Sequence, residues 1–273
     1  MAIRPDAAIP PSQFDTVATD GGITLPPITP SIAQDGSLRY SLVDVAVDRL
    51  GRTAMITLCG PDGPVPGSLA ALHKQGDQAY LLRLARELED AILNLPLNEA
   101  GLKLWAFRSE GDPELLLAHE AFLTRHRADS LANETLLLWQ RLLQRLDATA
   151  LGRVALVEHG SCFAGVLAEV LWSVDRSAMM EGYFVDDDQP LASITLSPGN
   201  FGAYPMDNGL TRLQTRFLAD PSTVDGLQGQ IGLPMEADDA RHAGLITFAV
   251  DESDWDDEIR RLLEDHASSA PPL

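Results

Sequence analysis

Apolar residues recur with two different periods along this chain, and the alternation between them sets the expected architecture. Ser41-Leu-Val-Asp-Val-Ala-Val-Asp48 alternates apolar and polar positions, as a strand with one buried face does. Arg52-Thr-Ala-Met-Ile-Thr-Leu58 follows after a Leu50-Gly51 turn, so the two runs are expected as a β-hairpin. Turn residues dominate Gly60-Pro-Asp-Gly-Pro-Val-Pro-Gly67. Over residues 78–95 the period changes to that of a helix. Leu81, Leu84, Ala85, Leu88, Ala91, Ile92 and Leu95 share one face, with Arg83, Arg86, Glu87 and Glu89 on the other. Pro96 is expected to end that helix. Residues 102–107 read as a strand, 115–122 as helical and 132–146 as a strong helix. Arg153-Val-Ala-Leu-Val157 is almost wholly apolar, the pattern of a strand buried on both faces. A helix-like run at 164–174, a strand at 192–196, a helix near 210–218, a strand at 245–250 and an acidic amphipathic helix at 256–266 complete the series. Strands alternating with helices predict one α/β domain over residues 38–266.

The flanks read differently. Pro5, Pro10, Pro11, Pro26, Pro27 and Pro30 punctuate residues 1–37, a density that blocks helix and ladder alike. This segment is expected as a tail, mobile or disordered, or as an extended arm lying on another surface. Residues 267–273 are expected to fray into a disordered C-terminus. No second composition shift marks another globular domain, and 273 residues suit a single α/β unit.

Charge narrows the partners. Lys and Arg total 20 against 40 Asp and Glu, a formal net charge of −20. Such a surface repels phosphate backbones, so nucleic acid is not an expected partner. Two cysteines, Cys59 and Cys162, are too few for a disulfide framework and suit a reducing compartment. No apolar run approaches the ~18–20 residues that span a bilayer. No continuous apolar stretch follows Arg4, so no signal peptide is expected. A cytoplasmic protein away from the membrane is the expectation.

The stretch that carries chemistry is Val154-Ala-Leu-Val-Glu-His-Gly-Ser-Cys-Phe-Ala-Gly-Val-Leu-Ala-Glu-Val-Leu-Trp-Ser-Val-Asp175. A buried strand runs into small residues and then into a helix. Such a turn leaves backbone N–H groups at the helix start, and these, with the helix dipole, stabilise an oxyanion. Glu169 sits about one turn into that helix, where a carboxylate can shuttle protons beside an enolate.

Here the chain resembles the crotonase (enoyl-CoA hydratase/isomerase) family. The family signature leads from a strand into Gly-x-Ala-x-Gly-Gly-Gly-x-Glu, with an Asp six residues later. Gly160, Ala164-Gly165, Glu169 and Asp175 match it in order, with one extra residue between Gly160 and Glu169. A second segment matches at Gly202, Pro205, Gly209, Arg212 and Leu213, and a third over residues 237–246. More narrowly, residues 84–93, 160–165, 200–206 and 254–259 look like the C-terminal half of the benzoyl-CoA dihydrodiol lyase family, ring-cleaving relatives built from two crotonase-like halves. On this resemblance the N-terminal half is expected to be absent from the chain.

The resemblance implies a crotonase-like spiral of repeated ββα units with a C-terminal helical region. It implies a lyase or hydratase-like enzyme acting on an acyl-CoA or related thioester, with Glu169 as acid/base and backbone N–H groups at Gly165 and Val166 holding the enolate oxygen. No tightly bound cofactor and no metal are expected; the substrate would be a coenzyme A thioester. Because the overall charge does not attract CoA phosphates, that site would need local arginines or N–H groups. The family's habit implies a homo-oligomer, trimer or hexamer, or a hetero-oligomer with another crotonase.

Departures open the alternative. The second carboxylate of many hydratases should stand four residues before Gly202, where this chain has Pro198. The first oxyanion-donor segment is replaced by Ser109-Glu-Gly-Asp-Pro-Glu114, whose acids oppose an oxyanion. The alternative is a non-catalytic crotonase-like subunit that assembles with an active one. Asp207, in the turn of the second segment, is a candidate substitute for the missing carboxylate. Against each functional residue stands a plainer reading: Glu169 as a satisfied polar group, Asp175 as a structural helix end, Cys162 as an inert thiol, His159 in a local hydrogen bond. His119 and His126 are poor metal ligands without a third partner. The runs Asp186-Asp-Asp188 and Asp238-Asp239 are expected as solvated loops.

Overall fold

A computed structural model describes residues 22–182 and 190–269. Strands β1 (Ser31–Ile32), β2 (Leu38–Arg39), β3 (Val43–Asp48) and β4 (Thr53–Cys59) form an antiparallel run, and β3 pairs β4 from Val43↔Leu58 to Asp48↔Thr53, the expected hairpin. Next to it lie β5 (Leu104–Glu110) and β6 (Gly152–Val157), each parallel to its neighbour. Strand β7 (Phe163–Ala164) leaves this sheet, β8 (Arg176–Glu181) returns to it, and β9 (Ile194–Thr195) leaves again. Strands β10 (Pro234–Met235) and β11 (Phe248–Asp251) finish the smaller and the larger sheet respectively, in the orders β10-β9-β7 and β1-β2-β3-β4-β5-β6-β8-β11.

Helices α1 (Leu69–Gln75) and α2 (Tyr80–Asn98) follow β4, and α3 (Pro113–Arg125) and α4 (Ser130–Ala148) follow β5. Helix α5 (Val166–Trp172) follows β7, and α6 (Arg212–Arg216) follows β9. The units β6–β7–α5 and β8–β9–α6 thus send successive strands to the two sheets before each helix, which is the ββα spiral expected. Helices α7 (Ser222–Leu227), α8 (Ala237–His242) and α9 (Trp255–Ser269) close the chain.

Two apolar cores explain the strand patterns. Trp105 and Phe107 of β5 pack with Leu88, Leu95, Trp139 and Leu143 on the α2–α4 side. Leu104, Val154, Leu156 and Ala178 face the other way, under Trp255 and Ile259 of α9. Strands β5 and β6 are covered on both faces, so their sequences are near-continuously apolar. Trp139 Nε1 donates to the Leu81 carbonyl, 2.9 Å, and pins α4 to α2.

Three expectations are corrected. Helix α2 does not stop at Pro96 but runs through it to Asn98; in the last turn proline forfeits one hydrogen bond, a cost that packing of Leu88, Ile92 and Leu95 offsets. Strand β8 was not expected, because Arg-Ser-Ala-Met-Met-Glu carries no β-branched residue; it is held by β6 on one side and β11 on the other. Asp238 and Asp239 stand in the first turn of α8 rather than in a loop, exposed, with Asp238 paired to Arg241. Residues 22–37 lie along the domain, with Ile23 packed on the core and the Arg86 guanidinium bonded to the Pro26 carbonyl. Residues 1–21, 270–273 and the run Asp186-Asp-Asp188 lie outside the described residues.

Candidate functional site

The turn between β7 and α5 is shaped by one glycine. Gly165 caps α5 at φ 49° and ψ −122°, a backbone that side-chain-bearing residues avoid. Its α-hydrogen face is also occupied: a Cβ there would lie 2.2 Å from Glu120 Oε2. Val166 opens the helix, so its amide has no intrahelical acceptor.

Glu169 projects from α5 into a closed polar network. It is 1% exposed. Its Oε1 accepts from Asn200 Nδ2, 2.8 Å, and its Oε2 from the Arg212 guanidinium, 3.0 Å. Asn200 is positioned by the local turn. Ser197 caps the short 3-10 segment Pro198–Phe201, Asn200 Oδ1 accepts the Ser197 amide at 2.7 Å, and its Nδ2 also donates to the Gly165 carbonyl at 2.9 Å. Pro198, at the first position of that segment, suits a site with no N–H to satisfy. Arg212 is buried as well. It grips Asp147 at the end of α4 with two bonds, 3.2 and 2.6 Å, and donates to the Tyr204 carbonyl at 3.0 Å.

A second carboxyl completes the network. Glu120, on α3, is 3% exposed and accepts from the Tyr204 hydroxyl at 2.8 Å. It also bonds Ser197, and it lies under Gly199, where a Cβ would meet its Oε1 at 2.6 Å, as well as under Gly165. One guanidinium therefore serves two carboxyl groups, those of Glu169 and Asp147, while Glu120 is met by hydroxyls. Burial is the largest influence on both glutamates: it raises Glu120 above its ordinary value against the bonds from Ser197 and Tyr204. It pushes Glu169 up to about 7, opposed by Arg212 and Asn200 and aided by Glu120.

Thus Glu169, Gly165 and Val166 are brought together, whereas Asp207 is not. Asp207 is exposed in the turn closed by the Met206–Leu210 hydrogen bond, 2.8 Å, and neither oxygen of Glu169 bonds it. Asp175 accepts the Arg153 amide at 2.8 Å and ties the end of α5 to β6. Cys162 is buried, donates to the Glu110 carbonyl across 3.3 Å, and has its thiol pushed up to about 12 by burial. His159 Nε2 donates to the Gly182 carbonyl, 2.8 Å. His119 donates to the Gly63 carbonyl and meets the Tyr80 ring at a tilt of 60°, while His126 donates to the Phe122 carbonyl. Among the described residues no group of three or more His, Cys, Asp or Glu is placed to hold a metal, and no helix is long and apolar enough to cross a membrane.

Sequence reasoning missed Glu120 and Asp147, and it met Asn200, Tyr204 and Arg212 only as parts of matching segments. For Glu120 a signal existed. It follows the buried Leu116 by four residues, so a charged side chain occupies a core position of α3.

The fold is that of the crotonases, the enoyl-CoA hydratases and isomerases on which the chain superposes. An enoyl-CoA hydratase/carnithine racemase from Magnetospirillum magneticum superposes with a TM-score of 0.59 at 16% identity, over 85% of this chain and 77% of that one. An enoyl-CoA hydratase/isomerase from Xanthobacter autotrophicus Py2 does so with 0.56 at 18%, over 84% and 74%. More particularly, the chain is 34% identical to the benzoyl-CoA-dihydrodiol lyase of Aromatoleum evansii over 257 residues, 94% of this chain and 45% of that enzyme. It therefore spans about half the length of the curated relative it matches. No protein-family model matches the chain.

Proposed function

We propose that this chain is a crotonase lobe of a lyase acting on a benzoyl-CoA dihydrodiol or a related acyl-CoA thioester, and that the lobe supplies structure while the reacting groups stand on another crotonase lobe. The observation that carries this reading is the closed Glu169 network. Enolate chemistry needs a cavity in which a thioester carbonyl meets N–H donors, beside a carboxylate that opens onto it. Here each Glu169 oxygen accepts a bond from within the protein and the side chain is buried. The space against Gly165 holds the Glu120 carboxyl, an acid where negative charge would develop. The groups that would react instead join α3, α4, α5 and α6 into one unit.

A second reading keeps Glu169 as the acid/base, with Gly165 and Val166 as the oxyanion donors. Burial favours it by holding Glu169 at about 7, the range that proton transfer at neutral pH requires. Turnover of a benzoyl-CoA dihydrodiol by the pure chain, by Glu169→Gln and by each mixed with an active crotonase decides between them, with light scattering reporting assembly. The structural reading expects no turnover by the chain alone and equal support of the partner by both proteins. Turnover by the pure chain that Glu169→Gln abolishes overturns it.

A further inference from the structure

Away from the Glu169 network, a cleft of about 430 Å³ opens between residues 22–25, α2 and α4. That volume falls within the range of small-molecule sites. Its apolar wall includes Leu82 and Leu131, both buried, with Leu138 and Ile23 packed on the same core. Around this wall the charges are uneven. Two arginines line the cleft in a chain whose net charge is −20. Among the described residues the Arg141 guanidinium has no hydrogen-bond or ion-pair partner, and that of Arg86 is met by a neutral carbonyl, that of Pro26. The acids nearby are mostly matched: Glu89 pairs with Arg145 at 3.3 Å, and Asp129 with His73 at 2.8 Å, leaving Glu134 exposed at the rim.

We infer that this cleft binds a small amphipathic anion, an apolar chain or ring carrying a single carboxylate or comparable acid. The apolar wall takes the body. Arg141, seven residues beyond Glu134 and three beyond Leu138 on α4, takes the head, because a guanidinium fork matches a carboxylate with two parallel bonds. A cationic head would meet two guanidinium groups with one exposed carboxylate to offset them. None of these residues belongs to the Glu169 network, so the inference stands apart from the proposed lyase role.

The test uses the full chain and the fluorescent anion 8-anilinonaphthalene-1-sulfonate, displaced by octanoate, 1-octanol or octylamine. Saturable binding of the dye is expected, with octanoate displacing it at about a tenfold lower concentration than octanol, and octylamine weakest. Arg141→Gln should weaken octanoate about tenfold and leave octanol unchanged. Leu138→Trp should fill the cleft and remove saturable dye binding. Dye binding unaffected by Leu138→Trp, or octanoate and octanol equal on both wild type and Arg141→Gln, overturns the inference. If Leu138→Trp does not fold, hydrogen exchange at the Ile23 amide of the wild type decides: protection by octanoate supports the site, and none overturns it.

Discussion

Replacing Glu169 by glutamine should abolish a loss of stability that the wild-type protein undergoes as pH rises from 5 to 8. In the unfolded chain Glu169 titrates at its ordinary 4.5, and in the folded chain at about 7. Between those values the native state holds a proton that the unfolded state has released. Stability from this group is therefore fully present below pH 4.5 and is lost as pH rises through 7. At about 1.4 kcal/mol per unit of pKa difference, the loss amounts to about 3 kcal/mol. Glutamine keeps the shape and the bond from Asn200 and has no proton to lose, but its NH2 group cannot accept from Arg212 as Oε2 does, a deficit that is the same at every pH. Measured against its difference from wild type at pH 5, the variant should gain up to about 3 kcal/mol by pH 8. Titrating groups that do not couple to Glu169 are common to both proteins and cancel in the difference. Urea unfolding at pH 5, 6, 7 and 8, followed by circular dichroism, measures it. A variant that is less stable than wild type at pH 8 by as much as at pH 5 would refute the reasoning, because the ion pair with Arg212 would then outweigh burial.

Other perturbations probe the same network and its surroundings. Gly165→Ala should cost about 3 kcal/mol or more in urea unfolding, since φ 49° is strained and the new methyl meets Glu120 at 2.2 Å. Adding Glu120→Ala should relieve the collision but not the strain, so recovery is partial. Arg212→Met leaves Glu169 and Asp147 without their shared guanidinium and should destabilise by about 3–5 kcal/mol, with the titration of Glu169 moving further upward. Cys59 and Cys162, both pushed up to about 12, should resist iodoacetamide at pH 8 in the folded protein and react fully in urea.

Periodicity and composition were enough to place most of the fold. The β3–β4 hairpin, the buried runs of β5 and β6, and helices α2 and α4 each carry their own pattern, because burial on one face or two writes itself directly into alternation. Strand β8 carries no such mark. Its methionines are strand residues only because β6 and β11 flank them, a tertiary fact. Proline 96 misled for the related reason that a rule about single residues yields to packing along a whole helix.

The same division holds at the candidate site. The spacing of Gly165, Val166 and Glu169 along a strand–turn–helix was legible, since all three lie on one local element whose geometry follows from the chain itself. What surrounds Glu169 was not. Asp147 arrives from α4, Asn200 from the 198–201 turn, Tyr204 from the loop after it, Arg212 from α6 and Glu120 from α3; only the folded arrangement decides that they form one network around the carboxylate. A sequence determines which groups a short segment can present. Which partners a buried carboxylate meets depends on long-range packing, and here that packing sets Glu169 against Asn200 and Arg212.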